Sequence, residues 1–300
     1  MSDSCTRCKV KQSTYFRPYS GERLCPSCFN ETMEERVRKT INKYKMFDYN
    51  SRIAIGVSGG KDSLALLRLL HKIEARQPNV ELIAVCIDEG VTGYRDEALR
   101  IAQKNCDELD IEMHTLSFKD LFDETMDEIA VKERDLGTCS YCGVLRRRAL
   151  NDAAKRIDAD RLATGHNLDD MAQTVLLNVL RGDVNRINQF NPGGQELGEY
   201  VRRVKPLCEV PEKETTYYAF INDLEFQSLP CPYADEAMRT DVRRFLNQME
   251  HKRPATKFTM YNTGLRIRQE GPSVDVINKC SICGAPTTEK ICRTCQLSKL

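Results

Sequence analysis

A doubly wound α/β fold with a small cysteine module at either end is what the 300-residue sequence predicts, on three observations. Short apolar runs rich in β-branched residues alternate with helical patterns through the middle of the chain, the signature of βαβ units around a mainly parallel sheet. Two of those runs end in small-residue and acidic turns that lead directly into helices. Eight of the fourteen cysteines form two CxxC pairs near each terminus.

The elements follow in order. Residues 1–30 hold the first module, Cys5-x-x-Cys8 with Cys25-x-x-Cys28, and residues 31–50 carry Met33, Val37, Ile41 and Tyr44 at helical spacing, a linking helix. From 51 to 250 the texture is that of one catalytic-sized domain. IAIGV (53–57) and ELIAVCID (81–88) are continuous apolar runs, as strands buried on both faces must be. EMHTLSF (112–118) and RLATG (161–165) add two more. Helices are predicted over 64–73, 96–110, 144–157, 169–180 and 234–250, and the Gly-, Pro- and Asn-rich stretch 188–200 reads as a mobile loop. Residues 251–300 are basic and end in the second module, Cys280-x-x-Cys283 with Cys292-x-x-Cys295.

Composition narrows the class. No run approaches the roughly 20 apolar residues of a membrane span, and MSDSCTRCKV lacks the apolar stretch of a secretory leader, so a cytoplasmic protein without a membrane partner is expected. A chain this long, in a reducing compartment, uses many thiols for metal rather than for disulfides. Net charge is +4 over residues 1–50, −9 over 51–240 and +6 over 241–300, so the basic ends suit a polyanion. Four thiolates on a zinc leave −2, which trims but does not cancel that excess.

Tetrahedral zinc needs four ligands, and a CxxC knuckle supplies two sulfurs from one turn. Cys5, Cys8, Cys25 and Cys28 close one such site, and Cys280, Cys283, Cys292 and Cys295 another. Closed four-thiolate sites leave no open position, which makes both zinc ions structural.

Val57-Ser58-Gly59-Gly60-Lys61-Asp62-Ser63 joins a strand to a helix. Glycines let backbone N–H groups approach an anion, the helix N-terminus adds its dipole, and Ser58, Ser63 and Lys61 add donors and charge. The Walker spacing fails because Asp62 follows Lys61, and no GxGxxG is present. Thr164-Gly165-His166-Asn167-Leu168-Asp169-Asp170 likewise follows a strand and opens a helix. Asp88 ends a strand where doubly wound sheets bind ligands. A third cysteine set lies inside this domain, Cys139-x-x-Cys142 with Cys231 far along the chain. Spacing leaves three readings open: an iron–sulfur cluster with one open iron, a redox dithiol, or a third zinc completed by Cys208. Arg243, Arg244, Lys252, Arg253, Arg266 and Arg268, near Phe258 and Tyr261, suit an RNA backbone with some base stacking.

SGGKDS in this setting resembles the N-type pyrophosphatase-loop ATPases, which adenylate an oxygen with ATP and let a nucleophile displace AMP. The ordered set of an N-terminal four-cysteine module, SGGKDS, CxxCG, GHNLDD, a CPY cysteine and a C-terminal four-cysteine module resembles the tRNA uridine 2-thiolation enzymes of the TtuA/NcsA type, over essentially the whole chain. That resemblance implies a five-stranded, mainly parallel sheet. It implies ATP with Mg²⁺ held by residues 57–63, Asp88, Arg146, Gly165 and His166, with Lys61, Asp62, Asp169 and Asp170 acting in catalysis. Cys139, Cys142 and Cys231 would carry a 4Fe–4S cluster whose free iron takes sulfur from sulfide or a thiocarboxylated ubiquitin-like carrier. The substrate would be a tRNA uridine, at the wobble position 34 or the T-loop position 54, and the assembly a homodimer. A tRNA thiolase that works by persulfide on a redox dithiol, an ATP-dependent amidotransferase or ligase, and a non-catalytic zinc protein that binds RNA are the competing classes.

Overall fold

The computed structural model describes residues 4–74, 77–132, 137–196, 198–234, 238–270 and 278–298. A hairpin, β1 (Tyr15–Arg17) with β2 (Glu22–Leu24), carries the first cysteine module, and α1 (Pro26–Lys43) starts inside that module rather than after it. Pro26 suits the first turn because its missing N–H would have had no helical partner there. Cys28, Phe29, Met33, Val37 and Ile41 form the buried stripe of α1, continuous with the main core. The helix packs against the domain and is not an exposed tether.

The central sheet contains β3 (Ser51–Gly56), β4 (Val80–Asp88), β5 (Met113–Ser117), β6 (Arg161–Thr164) and β7 (Arg202–Val204), in the order β5-β4-β3-β6-β7 with every neighbouring pair parallel. The strand β7 has no counterpart in the sequence reading: RRV is too short and too polar to register as an apolar run. Helices α2 (Lys61–Glu74), α3 (Arg95–Asp107), α4 (Phe118–Phe122), α5 (Met126–Ala130), α6 (Thr138–Arg156), α7 (Leu168–Leu180) and α8 (Val184–Asn188) connect these strands. One apolar cluster fills the face that holds α2 and α1; a second joins β4 and β5 to α4, α5 and α6.

After β7 come α9 (Glu212–Ile221), α10 (Met238–Lys252) and α11 (Thr256–Glu270), then the hairpin β8 (Asn278–Lys279) with β9 (Pro286–Thr287) and the closing α12 (Arg293–Ser298). Both α10 and α11 pack on α7. The stretch 188–200, expected to be mobile, is tied to the sheet edge where it is described: Lys205 N donates to Pro192 O at 3.0 Å and Arg202 Nε to Gly193 O at 2.7 Å. At Gly194, with φ +72, a Cβ would sit 2.2 Å from Arg203 O, so only glycine fits.

The chain runs β3, β4, β5 outward on one side, then returns to place β6 and β7 on the other. The strand order therefore reverses beside β3, and the loops leaving the C-terminal ends of β3 and β6 diverge there, where open α/β sheets bind ligands. Those two loops are SGGKDS and GHNLDD. Among the described residues no helix is long and apolar enough to cross a membrane.

Candidate active site

A cavity of about 270 Å³ opens at this switch point. Val57, Ser58, Asp62 and Ser63 line it from one loop, Gly165, His166 and Asp170 from the other, and Arg146 from α6. The first loop is held by its own serines: Ser63 Oγ donates to Gly60 O at 2.9 Å and accepts from Ser58 N at 3.0 Å. Gly59 has φ +81, and a Cβ there would meet Ala98 O at 2.4 Å. A Cβ on Gly165 would come within 2.9 Å of Ser63 N, so the second loop presses on the first helical turn of α2.

Lys61 is turned to carboxylates, Asp62 at 2.7 Å and Glu212 at 3.0 Å, and these neighbours raise its pKa against the opposing effect of burial. Asp62 accepts from Asn167 Nδ2 at 3.1 Å and from Thr215 Oγ1. Asn167 caps α7 in a reciprocal box with Asp170. The two acids of GHNLDD then part company. Asp170 faces the cavity, meets Arg239 at 3.2 Å, and burial lifts its carboxyl to about 6. Asp169 points into the protein, where Lys257 Nζ and Glu212 N (2.9 Å) hold it.

At the end of β4, Glu89 lines the cavity while Asp88 caps the turn by accepting from Gly90 N at 2.9 Å. Glu89 is 4% exposed and sits between Arg95 Nε at 2.8 Å and Arg146 Nε at 2.5 Å. The sequence singled out Asp88, whereas Glu89 beside it lines the cavity; strand ends give no sign of which of two adjacent carboxylates turns inward. Arg95, Arg239, Glu212 and Thr215 were also missed; nothing local in their segments marks them. His166 Nδ1 lies 2.9 Å from Thr164 Oγ1, and burial, then Lys205, Arg203, Arg239 and Arg147, push its pKa down to about 3.

Arg146 connects this cavity to the third cysteine set. Its Nη2 donates to Cys142 Sγ at 3.1 Å. Cys139 and Cys142 stand at i,i+3 near the start of α6, so they share a face. Cys139 Sγ donates to Tyr233 O at 2.9 Å, which brings the loop of Cys231 against the pair. Burial pushes the Cys142 thiol up to about 11, with Arg146 opposing and Cys231 and Cys139 adding to the rise. Four thiolates on one zinc lie roughly 3.8 Å apart, from a Zn–S bond of ~2.3 Å. Among the described residues, groups of three or more ligands within 4.8 Å are the two terminal sets; Cys139, Cys142 and Cys231 are spread more widely. Cys208 is fully buried, with Tyr261 Oη donating to it at 3.4 Å in the main core, and joins no such group.

Both terminal sets have the compactness a zinc ion needs, with Cys8 and Cys25 sulfurs 3.9 Å apart and Cys283 and Cys292 3.6 Å apart. Backbone N–H groups of Cys283 and Cys292 hold the Cys280 thiol down at about 6, as a thiolate ligand requires. Both modules are welded to the domain. Glu214, fully buried on α9, binds Arg17 of the first module at 2.8 Å and Arg36 at 3.2 Å. Arg148, nearly two turns from Cys142 on α6, reaches Cys283 at 3.5 Å.

The expected RNA contacts divide. Lys252, Arg253 and Arg266 are exposed, Arg243 and Arg244 pair with Glu212 (2.6 Å) and Asp241 (2.7 Å), and the Arg268 side chain lies outside the described residues. Base stacking on Tyr261 is ruled out: its ring is 1% exposed and its hydroxyl donates to Tyr44 at 2.7 Å. Phe258 is half-buried, with Tyr19 at 5.0 Å between ring centroids.

Comparison with known proteins agrees with this architecture. Residues 29–250 match the PP-loop domain family. A cytoplasmic tRNA 2-thiolation protein 1 from Candida glabrata is 36% identical over 99% of this chain and 86% of its own length. A probable sulfurtransferase from Methanocaldococcus jannaschii is 35% identical over 95% of this chain and 84% of its own. Among solved structures, the U34-tRNA thiolase NcsA from Methanococcus maripaludis, determined with its [4Fe-4S] cluster, aligns with a TM-score of 0.89 at 33% identity, covering 100% of this chain and 96% of that one.

Proposed function

Because the chain belongs to the PP-loop family, together with these tRNA 2-thiolation proteins, we propose that it is a cytoplasmic ATP-dependent tRNA 2-thiouridine synthase acting on the wobble uridine. The observation that carries the reading is Arg146, which lines the cavity beside the SGGKDS loop and at the same time donates to Cys142. Activation and sulfur delivery then occur within one side chain's length of each other.

In the first step the uracil oxygen at carbon 2 attacks the α-phosphate of ATP, a P–O bond forms, and pyrophosphate leaves. The backbone N–H groups and hydroxyls of Ser58–Ser63, at the N-terminus of α2, bind the departing phosphates as charge gathers on them. Asp170 and Asp62 both face the cavity and are the aspartates positioned for Mg²⁺, Asp62 also tying the two loops through Asn167, whereas Asp169 braces the site from inside the protein. His166, neutral at physiological pH, offers hydrogen bonding without competing for the phosphates. In the second step hydrosulfide attacks carbon 2 and AMP leaves with the original oxygen. A uridine oxygen is exchanged for sulfur, ATP becomes AMP and pyrophosphate, and no net electrons move.

Cys139, Cys142 and Cys231 are the residues that would hold a 4Fe–4S cluster: Cys139 Sγ reaches Tyr233 O at 2.9 Å, so the loop that carries the third thiol lies against the CxxC pair. Bound by three thiolates, such a cluster supplies an open iron position for the sulfur that the reaction consumes. The Cys142 side of that group receives the Arg146 N–H, which favours the thiolate. Each terminal four-cysteine set would hold one structural zinc. The external sulfur source is sulfide or a thiocarboxylated carrier, and the active species is a homodimer.

The test is anaerobic incubation of the protein with unmodified tRNA, ATP, Mg²⁺ and sulfide, followed by mass spectrometry of the nucleosides. Formation of 2-thiouridine at position 34, dependent on ATP and abolished by Cys231→Ala, is expected. ATP turnover without a thiolated nucleoside would instead favour a ligase of the same fold.

A further inference from the structure

Four cations gather around His166, beside the GHNLDD turn. The edge strand β7 runs parallel to β6 in the register Ala163 with Val204, so Arg203 and Lys205 flank the Thr164–His166 turn. Arg147 follows Arg146 on α6, and Arg203 Nη2 donates to its carbonyl at 3.1 Å. Arg239 comes from α10 and, of the four, lines the cavity itself.

Their neutralisation is incomplete. Arg239 meets Asp170, but no carboxylate pairs with Arg147, Arg203 or Lys205 among the described residues. Arg203 Nε is buried without a hydrogen-bond partner, an arrangement that costs stability unless a ligand answers it. Burial, with Arg203 nearby, brings the Lys205 ammonium down to about 8, and burial with Arg147 brings Arg203 down to about 10. These guanidinium and ammonium groups lack an anion.

We propose that Arg147, Arg203, Lys205 and Arg239 form a second phosphate site, separate from the nucleotide loop, that takes the RNA phosphodiester beside the target uridine. The proposal rests on the thiolation reading for the identity of the RNA. Two features favour RNA over ATP. The SGGKDS loop and the α2 N-terminus already provide a cradle for the phosphates of ATP. The cations gather beside β7, the edge strand of the sheet, with Arg147 exposed. A base taken out of its stack into the cavity must bring its own phosphates to that edge.

The experiment compares wild type with Arg147→Ala, Lys205→Gln and the double variant. Binding of fluorescent tRNA is measured across a series of salt concentrations, and binding of a non-hydrolysable ATP analogue by calorimetry. The double variant is expected to lose at least tenfold in tRNA affinity. Its dependence of log K on log salt should become shallower by up to about 1.8, at ~0.9 per phosphate contact. Analogue affinity should stay within twofold, and Lys205→Arg should retain tRNA binding. Arg147→Ala alters an exposed side chain and carries the test if the double variant does not fold. Unchanged tRNA affinity and salt slope would overturn the proposal, as would an equal or larger loss of analogue affinity. If wild type binds tRNA through these cations but forms no thiouridine, the thiolation reading fails while the phosphate site stands.

Discussion

Replacing Lys257 by Met separates two roles for Asp169, brace and metal ligand. The Lys257 and Asp169 side chains are 7% and 4% exposed, and they meet across 88 positions of sequence. Removing one partner of a buried ion pair typically costs ~3–5 kcal/mol, because the other charge is left without compensation. Here Asp169 keeps the Glu212 N–H at 2.9 Å, and Met preserves most of the lysine stem, so about 3 kcal/mol is expected. Asp169→Asn strands the ammonium, which retains Asn247 Oδ1 at 2.6 Å, and about 2 kcal/mol is expected. The double variant removes both charges and should lose less than the two singles together, with a coupling of ~2 kcal/mol. Urea unfolding of the zinc-loaded protein, followed by far-UV circular dichroism, measures all three. Thiolation supplies the second readout: a brace predicts that the double variant works better than Asp169→Asn alone. Additive stabilities, with thiolation lost in every Asp169→Asn background, would refute the brace and return Asp169 to the metal.

Three further outcomes follow from particular contacts. Gly165→Ala, whose Cβ would lie 2.9 Å from Ser63 N, should weaken ATP-analogue binding at least tenfold while far-UV dichroism is unchanged; unaltered affinity would show that the two loops are not in register. Cys280→Ser should release zinc from the C-terminal set and detach it from Arg148, leaving the N-terminal zinc in place; metal analysis should fall from two ions to one per chain. The pH profile of Mg-nucleotide binding should fall on acidification through about pH 6. Burial has raised the Asp170 carboxyl above its ordinary value of 3.8, so the folded chain takes up that proton before an exposed aspartate would, and the ionised form is complete only above pH 7. Asp170→Asn should remove that limb, whereas a limb that survives the substitution belongs to another group.

Much of this was legible in the sequence because local chemistry demanded it. IAIGV and ELIAVCID became β3 and β4, and SGGKDS became the turn between β3 and α2, since apolar β-branched runs and glycine-rich turns leave the backbone few alternatives. The paired CxxC knuckles converged as their spacing required. What escaped depends on distant partners. The short β7 exists because β6 offers it a ladder, not because RRV prefers to be extended. Glu89 rather than Asp88 faces the cavity because Arg95 and Arg146 wait there. Tyr261, expected at an RNA surface, is buried by the packing of α11 on α7, and Lys257 reaches Asp169 from the same helix. A helix's inward face can be read from its own sequence only when the pattern is amphipathic, and α11 mixes its faces.

Oxygen tracing tests the coupling of ATP activation to sulfur delivery most directly. tRNA carrying ¹⁸O at carbon 2 of the target uridine would be converted in a single turnover, and the AMP analysed by mass spectrometry. The mechanism predicts one ¹⁸O in AMP for every 2-thiouridine formed. Thiouridine accompanied by unlabelled AMP would contradict it.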